Sequence, residues 1–169
     1  MRKFRLWVPV GCLAASALLL FAQADRKPGL YEMTSNMTWQ QSPMPQGMQM
    51  PPNSPFGGGP HTSQVCVTQQ MIDRYGGPMP QQRGECQMKN MTKSATGMTA
   101  DYVCTGHMNG SGKMEASWTP GGEAHSKIHF SGTMQMGQRS APVEWTIDTA
   151  SVYRGADCGS VKPIALPPE

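Results

Sequence analysis

ECQMKNMTKSATGMTADYVCT, residues 85–105, is the stretch that decides the fold. If the chain turns about Ala95, Cys86 faces Cys104, Met88 faces Tyr102, Asn90 faces Ala100 and Thr92 faces Met98. Facing residues of an antiparallel pair project from the same side of the sheet, so this register gathers the apolar side chains on one face. The same register brings two cysteines within bridging distance. Two independent requirements meet in one pairing, and the segment is expected to be a β-hairpin closed by a Cys86–Cys104 disulfide.

Outward from the hairpin the alternation continues. Asn109-Gly110 has the composition of a tight turn, and Met114, Ala116 and Trp118 keep the apolar face on even-numbered positions. Pro120-Gly121-Gly122 marks the next turn. Ala124, Ile128, Phe130, Met134 and Met136 then carry the face on, which requires a bulge or an odd-length loop after Trp118. A strand over 141–149 moves the apolar set to odd positions, Val143, Trp145 and Ile147, and a short strand follows at Val152-Tyr153. On the N-terminal side, residues 29–39 place Tyr31, Met33, Met37 and Trp39 on one face and Glu32, Thr34, Asn36 and Thr38 on the other, the period of a half-buried strand. A short strand is expected over 64–68 and two turns of helix from Gln69 to Tyr75, ended by Gly76-Gly77-Pro78. Connections after Cys86 are short, so neighbouring strands should be antiparallel in sequence order. The expected fold is all-β: an antiparallel meander of seven to eight strands forming a curved sheet or small barrel, with one short helix and two disulfides.

The first 24 residues have the form of a cleavable signal peptide. Arg2, Lys3 and Arg5 precede an apolar run from Leu6 to Phe21, and Ala22-Gln23-Ala24 supplies the small-x-small cleavage pattern. The apolar run is short for a membrane span and Asp25-Arg26-Lys27 follows at once, so no transmembrane segment is expected after cleavage. The expected domain is residues 25–161, with a Pro/Gly/Met-rich loop at 40–64 and a flexible tail at 162–169. The whole chain has 14 Lys+Arg against 11 Asp+Glu. Three of the basic residues leave with the leader, and the mature domain carries no net charge. No basic cluster remains to neutralise phosphates, which argues against a nucleic-acid partner.

Four cysteines remain: Cys66, Cys86, Cys104 and Cys158. An even number in an exported chain indicates a disulfide framework, and the absence of C-x-x-C spacing argues against a zinc ribbon or a thioredoxin-type site. With 86–104 assigned by register, 66–158 follows by elimination.

These features resemble a bacterial exported family, the domain of unknown function 3617. The resemblance rests on Gly29-Leu30-Tyr31-Glu32, the Met/Pro-rich tract, Cys66-Val67-Thr68, Cys86, Cys104-Thr105-Gly106 and Gly155-Ala156-Asp157-Cys158. It spans nearly all of the mature chain. It implies a Gram-negative periplasmic or envelope location, and it brings no activity and no functional residues.

The sharpest chemical expectation is Cu(I). Met44, Met48 and Met50 lie close together, with His61 eleven residues further on, and thioether sulfur is a soft ligand suited to that ion. Against this, methionine is also an adaptable apolar filler, and Met88, Met98, Met114 and Met134 fall on the expected core face. His125 and His129 stand about 13 Å apart on a strand, too far for one zinc ion. The sequence has no G-x-S-x-G, no H-E-x-x-H and no phosphate-cradling glycine loop. The expectation is a non-catalytic binding or envelope-associated module, whose partner is another envelope protein or a small apolar ligand. A filled interior would favour the protein and an enclosed apolar cavity the small ligand.

Overall fold

In the computed structural model, residues 26–44, 59–78, 85–164 and 166 are described. The elements are β1 (Gly29–Gln41), β2 (Gly59–Val67), α1 (Gln69–Tyr75), β3 (Cys86–Lys93), β4 (Gly97–Cys104), β5 (Met108–Trp118), β6 (Ala124–Met136) and β7 (Arg139–Gly155). The seven strands form one antiparallel sheet in the order β2-β1-β7-β6-β5-β4-β3. From β3 to β7 this is the expected meander. The first hairpin then joins beyond the last strand, β1 against β7. β2 and β3 do not pair, so the sheet is curved and open. Among the described residues no helix is long and apolar enough to cross a membrane.

Cys86 faces Cys104 and Met88 faces Tyr102, as the alternation requires. Beyond Lys89 the register slips by one, so that Thr92 faces Thr99 and Lys93 faces Met98. The slip sits at Asn90, whose φ is 50°. Asparagine is one of the few non-glycine residues that enters the left-handed region readily, and its Nδ2 donates to Asp101 Oδ2 at 2.6 Å. The expected Asn90–Ala100 and Thr92–Met98 facings are thus replaced by a bulge.

Asn109-Gly110 is not a turn. Both residues lie inside β5, and Gly110 faces Gly132. A Cβ on Gly110 would stand 2.4 Å from the Ser131 carbonyl oxygen and 2.9 Å from Phe130 Cζ, so the glycine serves close backbone approach under an aromatic ring. The connection after Trp118 is an odd-length loop, and Trp118 faces Ala124 without a bulge.

β2 begins earlier than the sequence indicates, at Gly59, so the last six residues of the expected 40–64 loop are strand. Pro60 is accommodated because β2 is an edge. The two expected C-terminal strands are one, β7. Its Pro142 lies beyond the last β1 contact among the described residues, Gln41 with Glu144.

The core lies on one face. Phe130 and Trp145 stack with centroids 5.1 Å apart, and Tyr102 meets each edge-on at 6.1 Å. Met37, Met98, Met114, Ile128 and Val143 fill in around them. A smaller cluster of Tyr31, Val67, Met71 and Ile72 holds α1 to the β1–β2 end. α1 starts where Thr68 accepts from the Met71 amide and stops at Gly76, φ 74°, a left-handed conformation that favours glycine. Lys93, at the end of β3, donates to the carbonyls of Ile72 and Asp73, which suits a cation at a helix C-terminus. α1 is therefore tied to both edges of the sheet.

Both expected disulfides form, Cys86–Cys104 and Cys66–Cys158. The segment expected as a flexible tail from residue 162 is docked in part. Pro163 makes a parallel bridge to Cys66, and Ile164 and Leu166 pack against the apolar clusters.

Candidate functional site

The face opposite the core is polar because alternate residues of each strand must point there. Registers across β4, β5, β6, β7 and β1 align Thr99, Glu115, Lys127, Asp148 and Asn36 in one cross-strand row. The adjacent row is Ser117, His125, Ala150, Thr34 and Thr62. Strand twist hollows this face. The result is an open trough of about 710 Å³, lined also by Thr92 and Ser94 of the β3–β4 hairpin.

Charges alternate along its floor. Lys127 lies between Glu115 and Asp148, with Nζ 3.6 Å from Asp148 Oδ1. Thr34 and Thr62 share a hydroxyl contact at 3.1 Å on the β1–β2 side. Neighbouring rows repeat the theme: Lys113 pairs with Asp101, and His129 Nε2 lies 2.9 Å from Glu144 Oε1. Hydrogen bonds from Lys113 and then Asn90 hold the Asp101 carboxyl below the usual range. The trough thus offers carboxylate, ammonium, imidazole and hydroxyl groups spaced at the strand interval of about 4.8 Å.

Ser117 and His125 face each other across β5 and β6, both exposed, and no hydrogen bond joins them. On the apolar side, the described residues leave a space of about 30 Å³ under the end of α1.

Of the residues singled out for Cu(I), Met44 and His61 are described. Met48 and Met50 lie outside the described residues. His61 is exposed on β2 opposite Ser35. It is about 20 Å along the hairpin from Gln41, where β1 ends before Met44. Among the described residues, no three His, Cys, Asp or Glu side chains converge as a metal site. His125 and His129 both lie on the exposed side of β6.

The model of the family "Protein of unknown function (DUF3617)" matches residues 26–158. The chain belongs to the DUF3617 family. The match begins just after the leader-like segment and ends on the last disulfide cysteine, so both bridges and the entire DUF3617 sheet fall within it. No curated protein and no solved structure matches this DUF3617 chain.

The trough residues of this DUF3617 domain have no motif. Glu115, Lys127 and Asp148 are isolated charges in three strands, and strand register alone places them side by side. Applying the expected even-numbered register of β5 and β6 to their odd, exposed positions would have found the first two.

Proposed function

We propose that this DUF3617 protein is an exported, non-catalytic binding domain whose trough docks an extended polypeptide segment of another envelope protein. The observation that carries this is the trough itself: about 710 Å³ over a row of alternating charge, Glu115, Lys127 and Asp148. An extended peptide has both signs of charge and both donors and acceptors at strand-like intervals, which such a floor complements. The apolar face is occupied by core residues, α1 and the C-terminal segment, which favours a protein partner over a small apolar ligand. Export is supported by the leader-like N-terminus and by two disulfides, which persist in an oxidising compartment. The non-catalytic reading rests on the sequence, which has no G-x-S-x-G, no H-E-x-x-H and no phosphate-cradling glycine loop. Copper binding rests on the composition of the Met-rich stretch, with no described geometry to favour it.

A photo-reactive residue placed at Thr99 or Ser117 tests the proposal in cells that export the chain. Both positions should crosslink to the same polypeptide, and Lys127→Glu should reduce the yield several-fold. Equal capture from Arg139, at the distant start of β7, or no adduct from the trough, would overturn it.

A further inference from the structure

Arg26, immediately before β1, is 6% exposed. Its guanidinium lies 5.0 Å from the ring centre of Tyr31 and 5.9 Å from that of Trp118. Nη1 donates to the Gly76 carbonyl at 2.8 Å, at the end of α1. Nε and Nη2 are buried without a hydrogen-bond partner among the described residues. Room for the group depends on Gly77, where a Cβ would stand 1.8 Å from Nη1.

A guanidinium keeps its charge at any ordinary pH and has N–H groups that demand acceptors. Two of its nitrogens are unsatisfied here, a condition rare in folded proteins. The partial negative charge of a helix end and two ring faces offset part of the burial and satisfy neither nitrogen. Arg26 borders the 30 Å³ cavity between α1 and the core face. Among the described residues no Asp or Glu lines that cavity; its lining includes Met98, Met114 and Trp118, the hydroxyl residues Ser126, Thr149 and Ser151, and His125. Among the described residues, this buried cation faces a small space that brings it hydroxyls and an imidazole residue but no carboxylate. One water occupies roughly 10–15 Å³ of such space, so the cavity takes a monatomic ion with a water and excludes an organic acid.

We propose that Arg26 holds a small inorganic anion, of the size and charge of chloride, between the end of α1 and the inner face of the sheet. The ion accepts from Nε and Nη2, and the serine and threonine hydroxyls complete its shell. It fastens the segment before β1 to α1 and to Trp118 of β5.

Thermal melts of the purified protein in sodium chloride, sodium bromide and sodium gluconate at matched ionic strength test this. The melting temperature should rise with chloride or bromide by up to about 4 °C per tenfold increase, and gluconate should have no such effect. Arg26→Met fills the space without the charge and should abolish the halide response. Crystals soaked in bromide should show an anomalous peak beside Nε and Nη2. Identical melting in chloride and gluconate, an unchanged halide response in Arg26→Met, or a bromide map empty at Arg26 would each overturn the proposal. If Arg26→Met does not fold, the bromide map of the unaltered protein decides.

Discussion

The two edges of the sheet are protected in different ways. β3 is guarded locally: Asn90 bulges it, Lys89 and Lys93 put charge on it, and Cys86 ties it to its own neighbour, β4. These are devices that stop one edge from pairing with another. β2 has none of them. Its exposed portion, Gly59 to Gln64, contains no Lys, Arg, Asp or Glu. Its protection is distant. Cys66 is bridged to Cys158, beyond the end of β7, and Pro163 lies against Cys66. One edge is finished by its own hairpin and the other by the end of the chain.

Removing each bridge separates the two modes. The β2 bridge closes a loop of 92 residues and the β3 bridge one of 18. In the chain-entropy model, Cys66→Ala with Cys158→Ala should cost about 4.6 kcal/mol, and Cys86→Ala with Cys104→Ala about 3.2 kcal/mol. Urea denaturation of both double variants measures the order. A larger loss at 86–104 would mean that the β3 edge, not the β2 edge, depends more on its staple.

Next in size is the bulge. Asn90→Val forces a β-branched residue into φ 50° and should cost about 1–2 kcal/mol in the same assay. Asn90→Gly should lose little beyond the bond to Asp101. If valine is tolerated as well as glycine, the bulge does not set this edge.

The smallest effect is electrostatic. Asp101 receives Lys113 and Asn90, and its folded pKa lies below the usual value, about 3.9. Its contribution to stability is therefore complete above that pH and is lost as pH falls through the lower, folded value. Asp101→Asn should flatten the acid side of the stability–pH curve, read as the urea midpoint on either side of pH 4. An unchanged acid limb would show that this exposed cluster leaves the β3 edge unaffected.

What the sequence reveals follows the same division. The Cys86–Cys104 register and α1 with its glycine stop depend on residues a few positions apart, and both are present as expected. Asn90 was legible in principle, because asparagine tolerates a positive φ, yet alternation alone gives no reason to break the register there. Asn109-Gly110 misleads because a dipeptide preference is local, whereas Gly110 answers to Gly132 and Phe130 on the next strand. The pairing of β1 with β7 leaves no local trace. Neither does the trough, whose charges are solitary in sequence and become neighbours once three strands are aligned. Arg26 looks like the polar boundary of a leader until Trp118 and Gly76 are placed around it.

The position of β1 beside β7 also has a consequence for the order of events. Ser35 meets Thr149 across 114 residues of sequence. A chain emerging from its N-terminus therefore displays Cys66 long before Cys158 exists, and the next thiol to appear is Cys86. Oxidation in order of appearance would join Cys66 to Cys86, whereas the finished protein nests the 86–104 bridge within the 66–158 bridge. In a chain oxidised in that order, Cys66 would have to wait or be exchanged, and uncatalysed exchange takes seconds to hours. Of the four disulfide cysteines, the first to emerge is the last to find its partner.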